Sequence, residues 1–555
     1  MTSSAGVRGW RELALVVAGF ALATVFLTYP LALHLGTMAR VDNADARFLI
    51  WNIAWVARTA VVDPFHVLDA NIFYPHHGTL AYSETNLGAG LLAVPVYWAT
   101  RNPYAAHNFV TLASFVMSGT ATYYLVRHLV GDRRAAAVAG ACFAFCPYVF
   151  GRLPHIHLLM TAGLPLSLLA LHRLTDRPST SRGVLLGVAM AAQALFCGYY
   201  AVFVSLTIGY AVLVLAVVRR AWSDVRYWRA IAVAAAIALA LAVPLFLPYL
   251  RLQQATGFTR TLAEAGMWSA DWRAYLASSA AAHVWMLPLI GRWNEVLFPG
   301  FVALVCGLAG LGLGCTAGSN QGRWREVSIL YGGLGVLALW ASFGPDAGLY
   351  RWLHATVPVF SLLRAPSRFG VIVAFALSVL TGLTVAAVLS RLDRSRPGWQ
   401  PALATVVLLG VTLAELRVSL TFSPVPPAEI AYRVLATLPP GPVLDIPVYS
   451  SGSAAERTRY MLGSTAHWMP LVVGYSSYTP VDFYDKLESI GEFPSRDAFT
   501  LLQRDGVRYA VFHLYTLSPE QRADLAERLE QFREHLVRRY ADGRVLLYEI
   551  VSFPG

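Results

Sequence analysis

Apolar runs of bilayer length recur along this chain and constrain its fold more than any other feature. A membrane-crossing helix needs about 20 consecutive apolar residues. Runs near that length occur at 11–35, 104–128, 134–150, 156–173, 182–199, 200–218, 228–250, 296–316, 327–343, 369–390 and 401–420. Only 14% of the residues are charged and the mean hydropathy is +0.52, whereas about a quarter of a soluble domain is charged. The sequence therefore predicts a polytopic α-helical membrane protein with about 11 transmembrane helices, the first of which is retained because no small-residue cleavage site follows it.

The charged loops predict the orientation of these helices. The net charge is +11, almost all of it from arginine. The arginine-rich segments all fall on one side under this helix count: Arg8 with Arg11, 131–134, 172–182, 218–229, 322–326 and 391–396. The positive-inside rule makes that side cytoplasmic, so we expect a cytoplasmic N-terminus and an extracytoplasmic C-terminus. Arginines at these positions meet anionic membrane lipid, and we expect no nucleic-acid partner.

The loop 36–103 is predicted to lie outside the membrane and to carry two interfacial helices. The stretch FLIWNIAWVARTAVV places apolar residues at helical spacing, with Trp51 and Trp55 suited to headgroup depth. The stretch LGAGLLAVPVYWAT at 87–100 is too short to cross a bilayer and contains Pro95. It therefore predicts a second interfacial or re-entrant helix.

Two acids at the start of this loop are candidate catalytic residues. Asp42 and Asp45 lie three residues apart, directly after the first apolar run. A carboxylate at that position could take a proton from an acceptor hydroxyl, and the pair could also chelate one divalent cation, Mg²⁺ or Mn²⁺. The alternative interpretation is that both are solvated loop acids or N-caps of the helix that follows.

Histidines and a further acid occupy the same loop. His76 and His77 follow Tyr74 and Pro75, and Glu84 precedes the second interfacial helix. Imidazole and carboxylate suit divalent metals, but adjacent histidines do not have helical chelate spacing. A surface turn, with Glu84 as a helix cap, is therefore the alternative to a ligand-binding role.

Arginines at predicted external boundaries run against the positive-inside trend. Arg152 lies with His155 and His157 in the turn GRLPHIH, and Arg364 with Arg368 in LLRAPSRFG. Guanidinium groups bind phosphate oxygens in a bidentate manner, so these residues indicate an anionic partner such as the phosphate or pyrophosphate of a lipid carrier. Snorkelling, or an ion pair with an external acid, is the alternative.

The composition changes near residue 423. The stretch GPVLDIPVY predicts a buried strand, DGVRYAVFHL a second strand after a glycine turn, and RYADGRVLLYEIV a hairpin. Ser518 is placed to cap a helix between them. We therefore divide the chain into a transmembrane domain at 1–422 and a small extracytoplasmic α/β domain at 423–555, which is long enough for its own core.

The order of these segments resembles the GT-C superfamily of integral-membrane glycosyltransferases, in its bacterial branch. The stretches that carry the resemblance are IWNIAWVA, DANIFYPHHGTLAYSE, FAFCPYVFGRLPHIHLL, WSADWRAYL, EVLFPG, LLRAPSRFG and DGVRYAVFH. The resemblance implies a protein of the bacterial cytoplasmic membrane that moves a sugar from a polyprenyl-phosphate donor to an extracytoplasmic glycan, lipid or protein acceptor. It places the catalytic base or metal ligand at Asp42 or Asp45, and the phosphate-binding role at Arg364 or Arg368. The pair in this chain is Asp-Asn-Ala-Asp, whereas superfamily members often have two adjacent acids.

Three hypotheses of function follow. In a glycosyltransferase, Asp42 or Asp45 would be the base, the arginines would hold the departing phosphate, and Glu84, His76, His155 and His157 would line the groove. A transporter or flippase of lipid-linked glycans would need polar residues at mid-bilayer depth and inverted repeats, and the runs contain few of either. A non-catalytic envelope assembly protein is the third hypothesis, and it would leave the acids and arginines without a common role.

Overall fold

The computed structural model of this chain describes residues 2–316, 322–395 and 398–554. Arg396, in one of the arginine-rich segments, lies outside the described residues, as does the side chain of Arg8. The other segments discussed below fall within the described ranges.

Helices dominate the described residues, and strands are concentrated toward the C-terminus. The α-helices are α1 Thr2–Leu27, α2 Ala44–Val62, α3 Leu87–Thr100, α4 Pro103–Val130, α5 Arg133–Ala144, α6 Pro147–Gly151, α7 Ile156–Leu159, α8 Gly163–Asp176, α9 Thr180–Phe196, α10 Gly198–Val218, α11 Val225–Thr256, α12 Leu262–Met267, α13 Leu287–Ile290, α14 Phe301–Cys315, α15 Gly322–Ser342, α16 Leu349–Thr356, α17 Gly370–Ser395, α18 Gln400–Glu415, α19 Ile430–Leu435, α20 Thr458–Gly463, α21 Val481–Gly491, α22 Arg496–Arg504 and α23 Pro519–Gln531. The strands are β1 Met38–Ala39, β2 Ser423–Pro424, β3 Val443–Ile446, β4 Tyr509–His513, β5 Leu536–Ala541 and β6 Val545–Ile550.

Each of the predicted apolar runs contains an α-helix. By length and composition, 7 helical stretches of the described chain can cross a membrane. They are Gly9–Leu27, Pro103–Val130, Arg133–Gly151, Ile156–Asp176, Gly198–Val218, Val225–Thr256 and Pro366–Ser395. Shorter apolar helices include α9, α14 and α18. The mainly helical membrane architecture is confirmed, while the number of passes stays a prediction.

The chain divides into two compact units. The helical unit comprises Met1–Leu33 and Val110–Thr421, and the α/β unit comprises His34–Phe109 and Phe422–Gly555. The loop predicted at 36–103 and the C-terminal domain predicted at 423–555 therefore belong to one compact unit, whereas the sequence treats them as separate segments.

Glycines allow close helix packing in the helical unit. A Cβ placed on Gly187 of α9 would lie 2.6 Å from the carbonyl oxygen of Ala234 in α11. One placed on Gly310 of α14 would lie 2.1 Å from the carbonyl oxygen of Leu380 in α17. Both distances are far below van der Waals contact, so only glycine permits these approaches. Small residues at such crossings are typical of membrane helices, which gain little from apolar burial between one another.

The arginine-rich segments meet at one end of the helical unit. Glu12, next to Arg11 in α1, pairs with Arg127 at 2.5 Å and with Arg133 at 2.8 Å, and Arg134 pairs with Asp393 at 2.6 Å. A second group joins Arg219 to Asp176 and Glu326, both at 2.6 Å. His128, the residue after Arg127 in α4, lies 2.9 Å from Asp176 of the second group. Each of the six predicted segments, or the residue next to it, thus contributes to this set of ion pairs, which we name the ion-pair network. Their contacts support the assignment of these segments to one side.

The α/β unit is organised around a four-stranded sheet in the order β3-β4-β6-β5. β3 pairs parallel with β4, from Val443 opposite Tyr509, whereas β4–β6 and β6–β5 are antiparallel. The predicted hairpin is confirmed: Asp542 accepts hydrogen bonds from the backbone N–H groups of Arg544 and Val545, both at 2.7 Å, and turns β5 into β6. Ser518 caps α23 in a capping box with Gln521, as the sequence predicts.

The sheet edge also holds the segment that follows α2. Leu471 bridges to Val443 of β3 in parallel. On its other side, the backbone N–H of Leu471 donates to Asn71 at 2.9 Å and its carbonyl accepts from Tyr74 at 2.9 Å. The Asn71 side chain donates to Ser464 and to the carbonyl of Met469. Residues 71–74 are therefore bonded to the domain's sheet, and they fix the position of α2 within the α/β unit.

Candidate functional site

The two predicted acids lie in different environments although they are three residues apart. Asp42 is in the loop before α2; its side chain is 55% exposed and accepts a hydrogen bond from Arg40 at 3.2 Å. Asp45 is in the first turn of α2 and half-buried. The N-cap is Asn43, whose side chain accepts from the N–H groups of Asp45 and Ala46. The N-cap interpretation is therefore wrong for both acids, and the solvated-loop interpretation describes Asp42 alone.

Tyr475 is a neighbour of Asp45 that sequence reasoning missed. Its hydroxyl donates to Asp45 Oδ1 at 3.2 Å. The Tyr475 ring packs edge-on against Phe48, with 6.0 Å between centroids. Phe48 follows Asp45 by about one helical turn, so one aromatic contact and one hydrogen bond orient the carboxylate. Because Tyr475 is 430 residues away along the chain, no local pattern could have identified it.

Arg47 holds the loop that carries Asp42. It is 7% exposed, donates to the carbonyl of Val41 at 2.9 Å and to Thr458 Oγ1 at 3.0 Å. Burial lowers the pKa of Arg47, with a further contribution from Arg459. A buried guanidinium that binds a backbone carbonyl and a hydroxyl positions the chain. We therefore assign Arg47 a structural role and no role in binding substrate.

The histidines and Glu84 do not gather into a metal site. His76 lies 3.0 Å from Asp482, which also pairs with Lys486 at 3.2 Å. His77 is exposed and lies 3.6 Å from Asp69. Asn86, and not Glu84, occupies the N-cap position of α3, so the capping interpretation of Glu84 is wrong. Across residues 2–316, 322–395 and 398–554, no group of three or more His, Cys, Asp and Glu side chains is arranged to hold a metal ion.

In the helical unit, Arg152 is paired with an acid. Its guanidinium forms an ion pair with Glu295, and the Glu295 carboxylate also accepts from Ser367 Oγ at 2.9 Å. The same guanidinium lies 5.2 Å from the ring centroid of Tyr148. The alternative interpretation, an ion pair with an acid, is therefore the one observed for Arg152. Glu295, in the stretch EVLFPG, is a second site residue that sequence reasoning missed.

Arg368 and Arg364 are bound differently from Arg152. The Arg368 guanidinium stacks over Tyr199, 4.3 Å from the ring centroid, and within the described part of the chain it forms no ion pair with a carboxylate. Arg364 is 39% exposed and lies 3.8 Å from Glu264, which pairs more closely with Arg260 at 2.9 Å. Two guanidiniums of the loop 364–368 thus keep their hydrogen-bonding capacity for an external anion.

Tyrosines position this loop. Tyr199 accepts a hydrogen bond from the backbone N–H of Ala365 at 2.6 Å. Tyr148 and Tyr200 share a hydrogen bond of 3.1 Å, and Tyr200 also donates to the carbonyl of Leu158 at 3.0 Å. The position of Tyr199 and Tyr200 at a predicted helix boundary is typical of an aromatic belt at the membrane surface; instead, both are buried and hold the backbone around the arginines.

His155 and His157 belong to the same cluster. Their rings meet edge to face at 6.0 Å, and the charges of Arg368, Arg152 and Arg364 all act on the buried His157 ring. We name this set the arginine cluster, and its members are Tyr148, Arg152, His155, His157, Tyr199, Glu295, Arg364 and Arg368. Five of the residues singled out from sequence therefore converge in the helical unit. A cationic, tyrosine-lined cluster of this kind suits a phosphate group.

Comparison with known proteins finds similarity in structure but none in sequence families or curated sequences. No protein-family model matches the chain, and no curated protein matches it in sequence. Among solved structures, the arabinofuranosyltransferase AftD from Mycobacteria superposes with a TM-score of 0.58 at 15% identity, over 98% of this chain and 40% of that one. A mutant form of AftD gives a TM-score of 0.52 at 16% identity, over 98% and 41% of the two chains. ArnT from Cupriavidus metallidurans, bound to undecaprenyl phosphate, gives 0.47 at 15% identity over 99% of both chains.

The chain spans about 40% of the length of AftD. At this identity the likeness shows the fold alone. Nearly the whole of this chain shares its fold with AftD, which supports the GT-C-like fold that the resemblance in the sequence predicts.

Proposed function

We propose that this GT-C-type chain is a membrane glycosyltransferase that moves a sugar from a polyprenyl-phosphate donor to an extracytoplasmic acceptor. We base the proposal on one observation above others. On a fold shared with an arabinofuranosyltransferase, Arg364, Arg368 and His157 gather at one place in the helical unit, and Arg368 has no carboxylate partner among the described residues. An anionic group of the substrate would supply the missing charge.

The proposed orientation places the arginine cluster outside the cell. Tyr199, in the cluster, lies at the start of α10, and Arg219, in the ion-pair network, directly follows its last residue. The 21 residues of α10 rise about 30 Å, which is the thickness of the bilayer hydrocarbon. With the arginine-rich network in the cytoplasm, the cluster reaches the outer leaflet, where the phosphate of a lipid carrier lies. Eleven passes, with the segment 36–103 and the C-terminal residues outside the cell, complete this proposed topology.

The proposed donor contacts are charge-assisted hydrogen bonds. As the sugar leaves the carrier, the bond between the anomeric carbon and the phosphate oxygen breaks, and the phosphate gains negative charge. Guanidiniums placed where that charge develops stabilise the transition state more than the ground state. We assign this role to Arg368, with Arg364 beside it. Arg152 is already neutralised by Glu295, so we assign it to positioning of the loop.

The proposed base is Asp45, with Asp42 in a lesser role. The acceptor hydroxyl attacks the anomeric carbon and its proton passes to the Asp45 carboxylate, so that the glycosidic bond forms as the phosphate departs with inversion. Asp45 is half-buried and oriented by Tyr475, whereas Asp42 is exposed and engaged by Arg40. Superfamily members often use an acid at this position as a metal ligand. Among the described residues, neither Asp42 nor Asp45 belongs to a group of three or more side chains that could hold a metal ion, and we assign no step to a divalent cation.

The donor role is tested by release of the carrier. Full-length protein in proteoliposomes is incubated with a panel of polyprenyl-phosphate sugars and a cell-envelope acceptor extract, and free polyprenyl phosphate is measured by mass spectrometry. Wild-type protein should release it from one sugar donor. Arg368→Gln should lower the rate about 100-fold or more.

A matched control keeps this test specific. Arg351→Gln removes an exposed arginine of the same unit, one that pairs loosely with Asp346, and it should leave the rate within about twofold. No release from any donor by folded wild-type protein would contradict the enzymatic proposal, and an unchanged rate in Arg368→Gln would contradict the role given to Arg368.

A further inference from the structure

A second pair of arginines lies in the α/β unit, away from the proposed base. Arg58 is in the last turns of α2, and its guanidinium lies 5.4 Å from the ring centroid of Trp468. Arg101 directly follows α3 and lies 3.6 Å from the ring centroid of Trp98. The Trp98 indole N–H donates to the carbonyl of Ala57 at 3.0 Å. That bond places the residue before Arg58 against the helix that leads to Arg101.

The two arginines form a local excess of positive charge. Neither forms an ion pair with a carboxylate of the described residues, and the nearest acid along α2, Asp63, is held by His66 at 2.9 Å. Burial lowers the pKa of Arg58, and the like charge of Arg101 contributes in the same direction against an opposing effect of Tyr97. The two guanidinium charges therefore repel each other, and no carboxylate of the described residues compensates them.

The backbone holds these side chains in unusual positions. Arg101 has φ +53° and Trp468 has φ +59°, which is the left-handed region where glycine is usual. A side chain there costs about 1–3 kcal/mol. Arg101 also caps α3 through its N–H to the carbonyl of Tyr97 at 2.7 Å. The backbone that carries Arg101 and Trp468 is thus held in a defined conformation.

Exposed apolar side chains lie on or next to the two helices that lead to the pair. Val61 and Val62 at the end of α2 are about half exposed, Phe65 just after α2 is 94% exposed, and Leu91 of α3 is 47% exposed. Exposed aliphatic and aromatic residues next to arginine and tryptophan are typical of a surface in contact with membrane lipid. Arg58 follows Asp45 by 13 residues of α2, which is about 20 Å along the helix. The pair is therefore separate from the proposed base.

We propose that Arg58 and Arg101 bind the phosphate of an anionic phospholipid, whose acyl chains lie against Phe65, Val61 and Leu91. The two guanidiniums recognise the phosphate, and Trp98 and Trp468 hold them in place. A soluble phosphate would satisfy the charge but would leave the apolar surface uncovered, so the occupant is a lipid. This site would anchor α2 and α3 to the membrane surface.

Native mass spectrometry of the full-length protein in detergent tests the site. Phosphatidylglycerol and phosphatidylcholine are titrated separately, since they share acyl chains and differ in net charge. Phosphatidylglycerol should bind more tightly. The variant with Arg58→Gln and Arg101→Gln should lose about fivefold in phosphatidylglycerol affinity for each arginine. The loss should be smaller for phosphatidylcholine, whose choline group offsets the phosphate charge. Arg433→Gln with Arg538→Gln, which removes two exposed arginines of the same unit, should bind as wild type.

Other outcomes would overturn the assignment. Unchanged phosphatidylglycerol affinity in the double variant, or an equal loss in the control pair, would show that the site does not bind this lipid. Displacement of phosphatidylglycerol by inorganic phosphate at equal concentration would show a soluble ligand instead. If the double variant does not fold, the single variant Arg101→Gln is used, because Arg101 is exposed and its replacement should not disturb folding. Its phosphatidylglycerol affinity should fall about fivefold. Glycosyl transfer is measured separately, and neither outcome depends on it.

Discussion

At the scale of residues, side chains of the same type differ in this protein because their neighbours differ. Asp42 and Asp45 look alike in the sequence, yet one faces solvent beside Arg40 and the other is oriented by Tyr475. Arg152 and Arg368 also look alike, yet only Arg152 is neutralised by a carboxylate of the described residues. Between the two arginines, the one without a carboxylate partner among the described residues is the better candidate for chemistry, because a group already satisfied within the protein gains little from a substrate. Between the two acids, Asp45 is the better candidate because it is half-buried and oriented.

Single substitutions of the two acids test this distinction. Asp45→Asn removes the proposed base and should lower the rate of polyprenyl-phosphate release about 100-fold or more, the usual contribution of general base catalysis. Asp42→Asn, the matched control, should lower it less than about fivefold, because its carboxylate is solvated. Size-exclusion chromatography and circular dichroism confirm folding of both proteins. Full activity in both variants would end the proposal that an acid of this loop is the base.

At the scale of elements, the α/β unit contains a buried ionic contact between two strands. His513, at the end of β4, is 1% exposed and lies 2.9 Å from Asp445 of β3 and 3.3 Å from Glu429. Tyr432 donates to the same oxygen of Asp445 at 2.7 Å. Burial lowers the pKa of His513, but the hydrogen bonds and charges of Asp445 and Glu429 outweigh it and raise the pKa to about 9.

This raised pKa predicts how stability depends on pH. A histidine whose folded pKa lies above its unfolded value stabilises the fold fully below about pH 6.5, and this contribution disappears as the pH rises through about 9. We expect the unfolding free energy of the α/β unit to fall by about 3 kcal/mol between pH 6.5 and 10. Thermal melts of the full-length protein measure it. His513→Gln should melt lower at pH 6.5 and depend less on pH, and parallel pH profiles for both proteins would contradict the assignment.

At the scale of the whole molecule, two structural features organise the chain. In the helical unit, six arginine-rich segments or their adjacent residues form ion pairs with segments far away in the sequence. In the α/β unit, the segment after α2 is hydrogen-bonded beside the edge strand of a sheet formed more than 350 residues later. The loop with the candidate acids is therefore held by the C-terminal part of the chain, and is not a free extension of the first helix.

Cysteine labelling tests the proposed topology. Cys315 is exposed near the arginine-rich end, and Cys142, Cys146 and Cys197 are buried. A membrane-impermeant maleimide should not label Cys315 in intact cells but should label it after permeabilisation. In the Cys315→Ser background, Ser453→Cys in the α/β unit should be labelled in intact cells, since that residue is exposed and predicted to be extracytoplasmic. The opposite pattern would reverse the orientation.

The apolar helices, the Asp542 hairpin and the Ser518 cap could be predicted from the sequence, because each depends on residues within a few positions of one another. The arginine pattern predicts an orientation in the membrane, which stays a prediction. Periodicity and charge are local properties, and they also mark which residue types could bind phosphate or move a proton. Only the tertiary structure shows which of these residues have the neighbours that binding phosphate or moving a proton requires. Tyr475 beside Asp45, Glu295 beside Arg152 and Trp468 beside Arg58 are contacts between distant segments. They follow from how helices and strands pack, and no local pattern specifies that packing.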